Sequence, residues 1–193
     1  LYTAWYLDFR FFLTIAALFL TGQLYSFVAK RIALVDVLTI SVDYVWRALA
    51  GCYIVSVKVS NWLILCVFLL ALLLAFGKRR TERRVMGSDA EQYRSVFRFY
   101  TLDILNQFII MTAAGLLVSY FLYSFMSDTG HGMLVLTIPV VTYIVFRYTY
   151  HTLSDDPALE RLLFDPSTVI AVIVWIGLVV FVLYFWHLLP LQS

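Results

Sequence analysis

The sequence predicts an all-α integral membrane bundle of about six transmembrane helices, and three observations carry that prediction. Of 193 residues, 63% are hydrophobic and 13% charged, about half the charged fraction with which a soluble domain dresses its surface. The apolar residues fall into runs of about twenty, enough at roughly 1.5 Å per residue to cross a hydrocarbon core about 30 Å thick. The cations gather on one set of alternate loops, as they do in membrane proteins.

Spans are expected at 9–29, 34–55, 61–77, 101–126, 133–150 and 168–189. The first opens with Arg10 and FFLTIAALFL, which mimics a secretory signal but has no small-residue cleavage site and continues as an apolar run. The second, LVDVLTISVDYVWRALAGCYIV, is apolar except for three ionisable residues, and the third ends abruptly at Lys78-Arg79-Arg80. The fourth starts at Asp103 with Asn106 and Gln107 a turn later. The fifth holds Pro139, expected well inside a span, and Arg147 near its end; the sixth is apolar throughout. No Gly/Ser-rich linker, low-complexity tract or internal repeat divides the chain, so residues 1–193 are expected to form one membrane domain.

If the spans alternate, loops 30–33, 78–100 and 151–167 share one side. They hold Lys30, Arg31, Lys78, Arg79, Arg80, Arg83, Arg84, Arg94, Arg98 and Arg161, against Lys58 in the opposite loops and Arg10 at the amino-terminal end. The basic side is expected to be cytoplasmic, in the plasma (inner) membrane, with both ends of the chain outside. Trp5, Tyr6, Trp62, Tyr184 and Trp186 then belong to an outer aromatic belt. The first residue is Leu, and an external amino terminus suits a chain preceded by an odd number of further spans.

Cys52 and Cys66 lie in or beside apolar runs with no metal-ligand spacing, and read as packing residues. His131, His151 and His187 are scattered, which argues against a zinc site. There is no P-loop, Rossmann glycine pattern or nucleophile elbow, so a soluble-type nucleotide enzyme is not expected, and nucleic acid is not among the expected partners.

The chemistry is expected where charge enters the membrane. Asp43 and Arg47 follow Asp36 by seven and eleven residues, which at about 100° per residue puts both within roughly 20° of Asp36 around the helix. An Asp43–Arg47 pair at i,i+4 could neutralise itself and lock helices together; three charges in line read instead as the wall of a polar cavity. Lys78, Arg79, Arg80, Glu82, Asp103 and Arg147 are expected at the same level. Headgroup contact explains such cations in part. Cations at the surface of an apolar bundle also suit a phosphorylated head with a lipid tail.

These residues resemble the UbiA superfamily of intramembrane prenyltransferases, and within it the decaprenyl-phosphate phosphoribosyltransferase branch. The resemblance rests on QLYSFVAKRIALVDVLTISVDYVWRALAG, FLLALLLAFGKRRTE, RFYTLDILNQF and TIPVVTYIVFRYTY, in the family's order. It implies a nine-helix bundle open to the cytoplasm that moves 5-phosphoribose from phosphoribosyl diphosphate to a polyprenyl phosphate, with magnesium. Lys30, Asp36 and Arg47 match the family's motif in the second span; Lys78, Arg79 and Glu82 match the segment that replaces the superfamily's second aspartate-rich motif; Asp103 and Arg147 match later motifs. Asp43 stands where many relatives have a small residue.

The superfamily's first aspartate-rich motif is absent, and the match begins at about the family's fourth helix. The missing helices are therefore expected in the same gene product or another chain, and this chain alone is expected to be inactive. The resemblance implies that Asp36, Asp43 and Arg47 are catalytic, with Asp36 and Asp43 helping to hold magnesium and Arg47 orienting ligands. Lys30, Lys78, Arg79, Arg80, Glu82, Asp103 and Arg147 would bind substrate. The lipid phosphate is already anionic and can attack the anomeric carbon without a strong base, while the cations hold the departing diphosphate. The rival within the superfamily is a prenyltransferase acting on an aromatic or other acceptor; from another class, a transporter would also need intramembrane charge.

Overall fold

The computed structural model describes residues 9–55, 59–87, 90, 94–126, 133–154 and 166–185. The expectations placed on Trp5, Tyr6, Lys58, His131, Arg161, Trp186 and His187, and on the Tyr184 side chain, lie outside what is described. Among the described residues six long helices follow in order: α1 (Phe9–Phe27), α2 (Val35–Ile54), α3 (Asn61–Met86), α4 (Leu102–Met126), α5 (Ile138–Leu153) and α6 (Pro166–Phe185). Five stretches, Phe9–Arg31, Val35–Ile54, Asn61–Met86, Leu102–Met126 and Met133–Leu153, are long and apolar enough to cross a membrane, and Pro166–Val182 is a shorter apolar helix. The all-α integral membrane class is thus observed.

Boundaries depart from expectation where the apolar pattern and the backbone part company. The third span was expected to give way to a loop at Lys78, yet α3 runs nine residues further, so the Lys78–Arg84 cations stand on a helix. Arginine, lysine and glutamate are good helix formers, and nothing breaks the ladder before Gly87. Gly87 adopts φ 54° and its N–H caps the Arg83 carbonyl, a conformation that favours glycine. Pro139 lies inside the Met133–Leu153 stretch, as expected, and there it occupies the first turn of α5, where its missing N–H has no intrahelical partner to lose, after a 3-10 turn at residues 133–137.

The chain forms two compact units, residues 1–112 and 113–193. In the first, α2 packs against both α1 and α3, and Val37, Leu73, Phe76, Val96, Phe97, Leu105 and Ile109 form its buried core. The Phe76 and Phe108 rings meet at 5.1 Å. In the second, the Trp175 indole N–H donates to the Tyr120 hydroxyl at 3.0 Å, and that hydroxyl lies 2.6 Å from Thr137 Oγ1. Hydroxyls inside the spans return to the preceding turn, as Ser41 does to the Val37 carbonyl and Ser124 to that of Tyr120, which satisfies them where water is scarce. Large apolar side chains such as Leu20, Met111 and Phe146 face outward, the surface a lipid solvent accepts. Cys66 is buried and Cys52 half-buried, both as free thiols.

Candidate functional site

A short 3-10 turn at Ala29–Arg31 follows α1, and α2 then starts after its N-cap residue Leu34, which is held at φ 68°, ψ −42°. A branched residue in that region is rare and strained, by roughly 1–3 kcal/mol. The turn is held from outside: the Leu34 N–H donates to the Tyr100 hydroxyl at 2.7 Å, and that hydroxyl donates onward to Asp36 Oδ1 at 2.7 Å. Tyr100 and Asp36 are 1% and 0% exposed. Burial, and then the hydrogen bond to Asp36, push the Tyr100 hydroxyl well above its ordinary range, so it remains a protonated donor.

The other Asp36 oxygen, Oδ2, accepts from Arg79 Nε at 2.8 Å. The same guanidinium donates to Glu82 Oε2 at 2.7 Å and to the Tyr25 hydroxyl at 3.3 Å. At 2% exposure Arg79 is nearly closed off. Helix spacing explains why α3 serves two neighbours: Arg79 turns to α2, and Arg80, about 100° around, donates through Nε to Asn106 of α4 at 2.6 Å. Two buried cations and a buried carboxylate thus join α1, α2, α3, the segment before α4, and α4 itself. Transfer of such charges from water costs several kcal/mol each, and the pairing and multiple hydrogen bonds offset that cost.

Asp36, Arg79 and Glu82 are therefore in contact, and Arg80 is beside them in sequence with a partner of its own. The remaining candidate residues are placed elsewhere. Asp43 is half-buried and accepts a hydrogen bond from the Thr21 hydroxyl of α1. Arg47 is exposed, with its guanidinium 5.2 Å from the centre of the Tyr44 ring. The shared-wall geometry expected for Asp36, Asp43 and Arg47 is corrected here: angular alignment along α2 does not give the three residues common neighbours, because seven residues are about 10 Å of helix. At Asp36 the facing groups come from α3 and Tyr100; at Asp43 they come from α1. Lys30, Lys78 and Asp103 are exposed, and Arg147 is half-buried in the second unit.

The same spacing bears on magnesium. Asp36 and Asp43 lie too far apart along the helix to share one ion, and both oxygens of Asp36 already accept from protein donors. Among the described residues no three His, Cys, Asp or Glu side chains gather as a metal site. These two carboxylates by themselves do not fit the ion.

Tyr25, Tyr100, Thr21 and the Leu34 amide were not foreseen. A usable signal existed for the tyrosines: a carboxylate in an apolar span needs donors, and Tyr25 near the end of the first span and Tyr100 just before the fourth are hydroxyls in the quoted QLYSFVAK and RFYTLD segments.

No family model matches the chain. It is 24% identical over 195 residues to a decaprenyl-phosphate phosphoribosyltransferase of Mycolicibacterium smegmatis, covering 94% of this chain and 61% of the relative. Similar relatives of the same name occur in Corynebacterium glutamicum, 25% identical over 83% of this chain and 50% of the relative, and in Mycobacterium tuberculosis, 27% identical over 68% and 46%. The chain thus spans about half to three-fifths of the length of the curated relatives it matches. The resemblance read from the sequence holds as distant homology: over nearly its whole length, this chain is similar to a decaprenyl-phosphate phosphoribosyltransferase.

Proposed function

We propose that this chain forms part of an intramembrane transferase that moves 5-phosphoribose from phosphoribosyl diphosphate to a polyprenyl phosphate. The carrying observation is the buried Asp36–Arg79 pair with Glu82, Tyr25 and Tyr100 around it, in a membrane chain whose distant homologues bear that name. The basic end of α3 is taken to face the cytoplasm, where a water-soluble diphosphate would arrive.

In this reaction a lipid phosphate oxygen forms a bond to the anomeric carbon as the bond to diphosphate breaks. The phosphate is already ionised, so the protein's task is to hold the reactants and to stabilise charge on the departing oxygens. Arg79 already gives three hydrogen bonds to protein partners, and its role is to fix α2 against α3. Exposed Lys30 and Lys78 remain available to meet phosphate at the same end of the helices. No step is assigned to magnesium on the residues present.

The test offers radiolabelled phosphoribosyl diphosphate or prenyl diphosphate, with polyprenyl phosphate, to membranes holding the chain. The chain is supplied alone and together with the part of a relative that it does not match. Label from phosphoribosyl diphosphate is expected in lipid in at least one of these preparations, and its loss in Arg79→Met. Transfer of only the prenyl group, or of neither, overturns the reading.

A further inference from the structure

Arg47 presents a charge in the middle of a spanning helix. The other exposed charges of the described spanning stretches, Arg10, Lys30, Arg31, Lys78 and Asp103, lie at or beside the ends of their apolar runs. Arg47 is instead roughly 18 Å along α2 from Val35 and roughly 10 Å from Ile54. Helical side chains lean toward the preceding turn, and the Arg47 guanidinium lies 5.2 Å from the centre of the Tyr44 ring, one turn back. The charge is thus carried toward mid-span and away from the nearer end, the reverse of a side chain that snorkels to interfacial water. We propose that the face of α2 bearing Tyr44, Arg47 and Gly51 docks a further membrane-spanning helix that carries an Asp or Glu at mid-depth.

Charge complementarity fixes the chemistry of that partner. An arginine inside a bilayer faces a polar interior or a paired acid, since hydrocarbon cannot solvate it. Among the described residues no carboxylate lies within ion-pair reach of Arg47. Asp43, one turn back, is engaged by the Thr21 hydroxyl of α1 instead. A guanidinium matches a carboxylate in shape as well as charge, through two parallel N–H donors. The surface around it suits a helix. Tyr44, Arg47, Gly51 and Ile54 follow at i, i+3, i+7 and i+10 on one face, and all four are exposed. Nothing lies within 4 Å of where a Gly51 side chain would begin, so a second backbone can approach closely there, as at small-residue helix crossings in membranes. Within hydrocarbon a helix is also the form in which an incoming segment keeps its own backbone satisfied.

The experiment reconstitutes the donor-labelled full chain in phosphatidylcholine vesicles and measures energy transfer to acceptor-labelled polyleucine transmembrane peptides with a single central Glu, Gln or Leu. The wild-type chain should bind the Glu peptide about tenfold more tightly than the Leu peptide, with the Gln peptide weaker than Glu. Arg47→Leu should erase the preference for Glu, and Arg47→Glu should transfer it to a peptide with a central Lys. The comparison of three peptides on the wild-type chain needs no variant. The proposal is overturned if Glu binds no better than Leu or Gln, or if the preference survives Arg47→Leu. Energy transfer between two labelled copies of the chain that is lost in Arg47→Leu would hand this face to a second copy and equally overturn the assigned partner. Ribosyl transfer enters neither the argument nor the measurement, so that reading and this one fail separately.

Discussion

Arg79 Nε donates to Asp36 Oδ2 at 2.8 Å, with the two side chains 2% and 0% exposed, and this bond ties the carboxy-terminal third of the long third helix to the first turn of the second. Asp36→Ala should destabilise the chain by about 3–5 kcal/mol, because it leaves the Arg79 charge buried without its main partner. The double change Asp36→Leu/Arg79→Leu should cost less than Asp36→Ala. Thermal unfolding in nanodiscs reads both, and equal or greater loss in the double variant would show that burial of an unpaired charge is not the governing term.

Tyr100→Phe removes the hydroxyl that accepts from Leu34 and donates to Asp36, and should destabilise by about 1–3 kcal/mol. It should also change the alkaline limb. Because the folded state holds the Tyr100 proton above its ordinary range, the stabilisation from it is complete below about pH 10 and declines as pH rises toward the folded value, by up to about 1.4 kcal/mol per pH unit. Stability measured from pH 8 to 11 should fall less steeply in Tyr100→Phe than in wild type.

Thr21→Val should cost about 1–2 kcal/mol by leaving the Asp43 carboxylate without the hydroxyl it accepts from. Asp43→Asn keeps an acceptor and should cost less. Melting curves of the two variants that ranked in the opposite order would count against this contact.

Arg47→Gln should leave stability within about 0.5–1 kcal/mol of wild type, since an exposed cation over one tyrosine ring contributes little. A loss as large as that from Asp36→Ala would mean that Arg47 is held by more than the Tyr44 ring.

Gly87→Ala should destabilise by about 1 kcal/mol or more. Open space surrounds the added methyl, so the penalty comes from φ 54° alone. Unfolding midpoints that rise instead would show that the turn relaxes.

Composition and apolar run length sufficed for the membrane class and for all six helices, because the hydrophobic solvent demands about twenty apolar residues per crossing wherever the chain goes. The places where charge enters the membrane, at Asp36 and at Lys78-Arg79-Arg80, were legible for the same reason. Partner choice was not. Asp36, Asp43 and Arg47 share an angle on one helix, but only the packing of α1, α3 and the Tyr100 segment decided that Asp36 meets a guanidinium, Asp43 a hydroxyl and Arg47 a neighbouring ring. A helical repeat specifies direction around one axis, whereas a buried charge is satisfied by whichever group tertiary packing brings within about 3 Å.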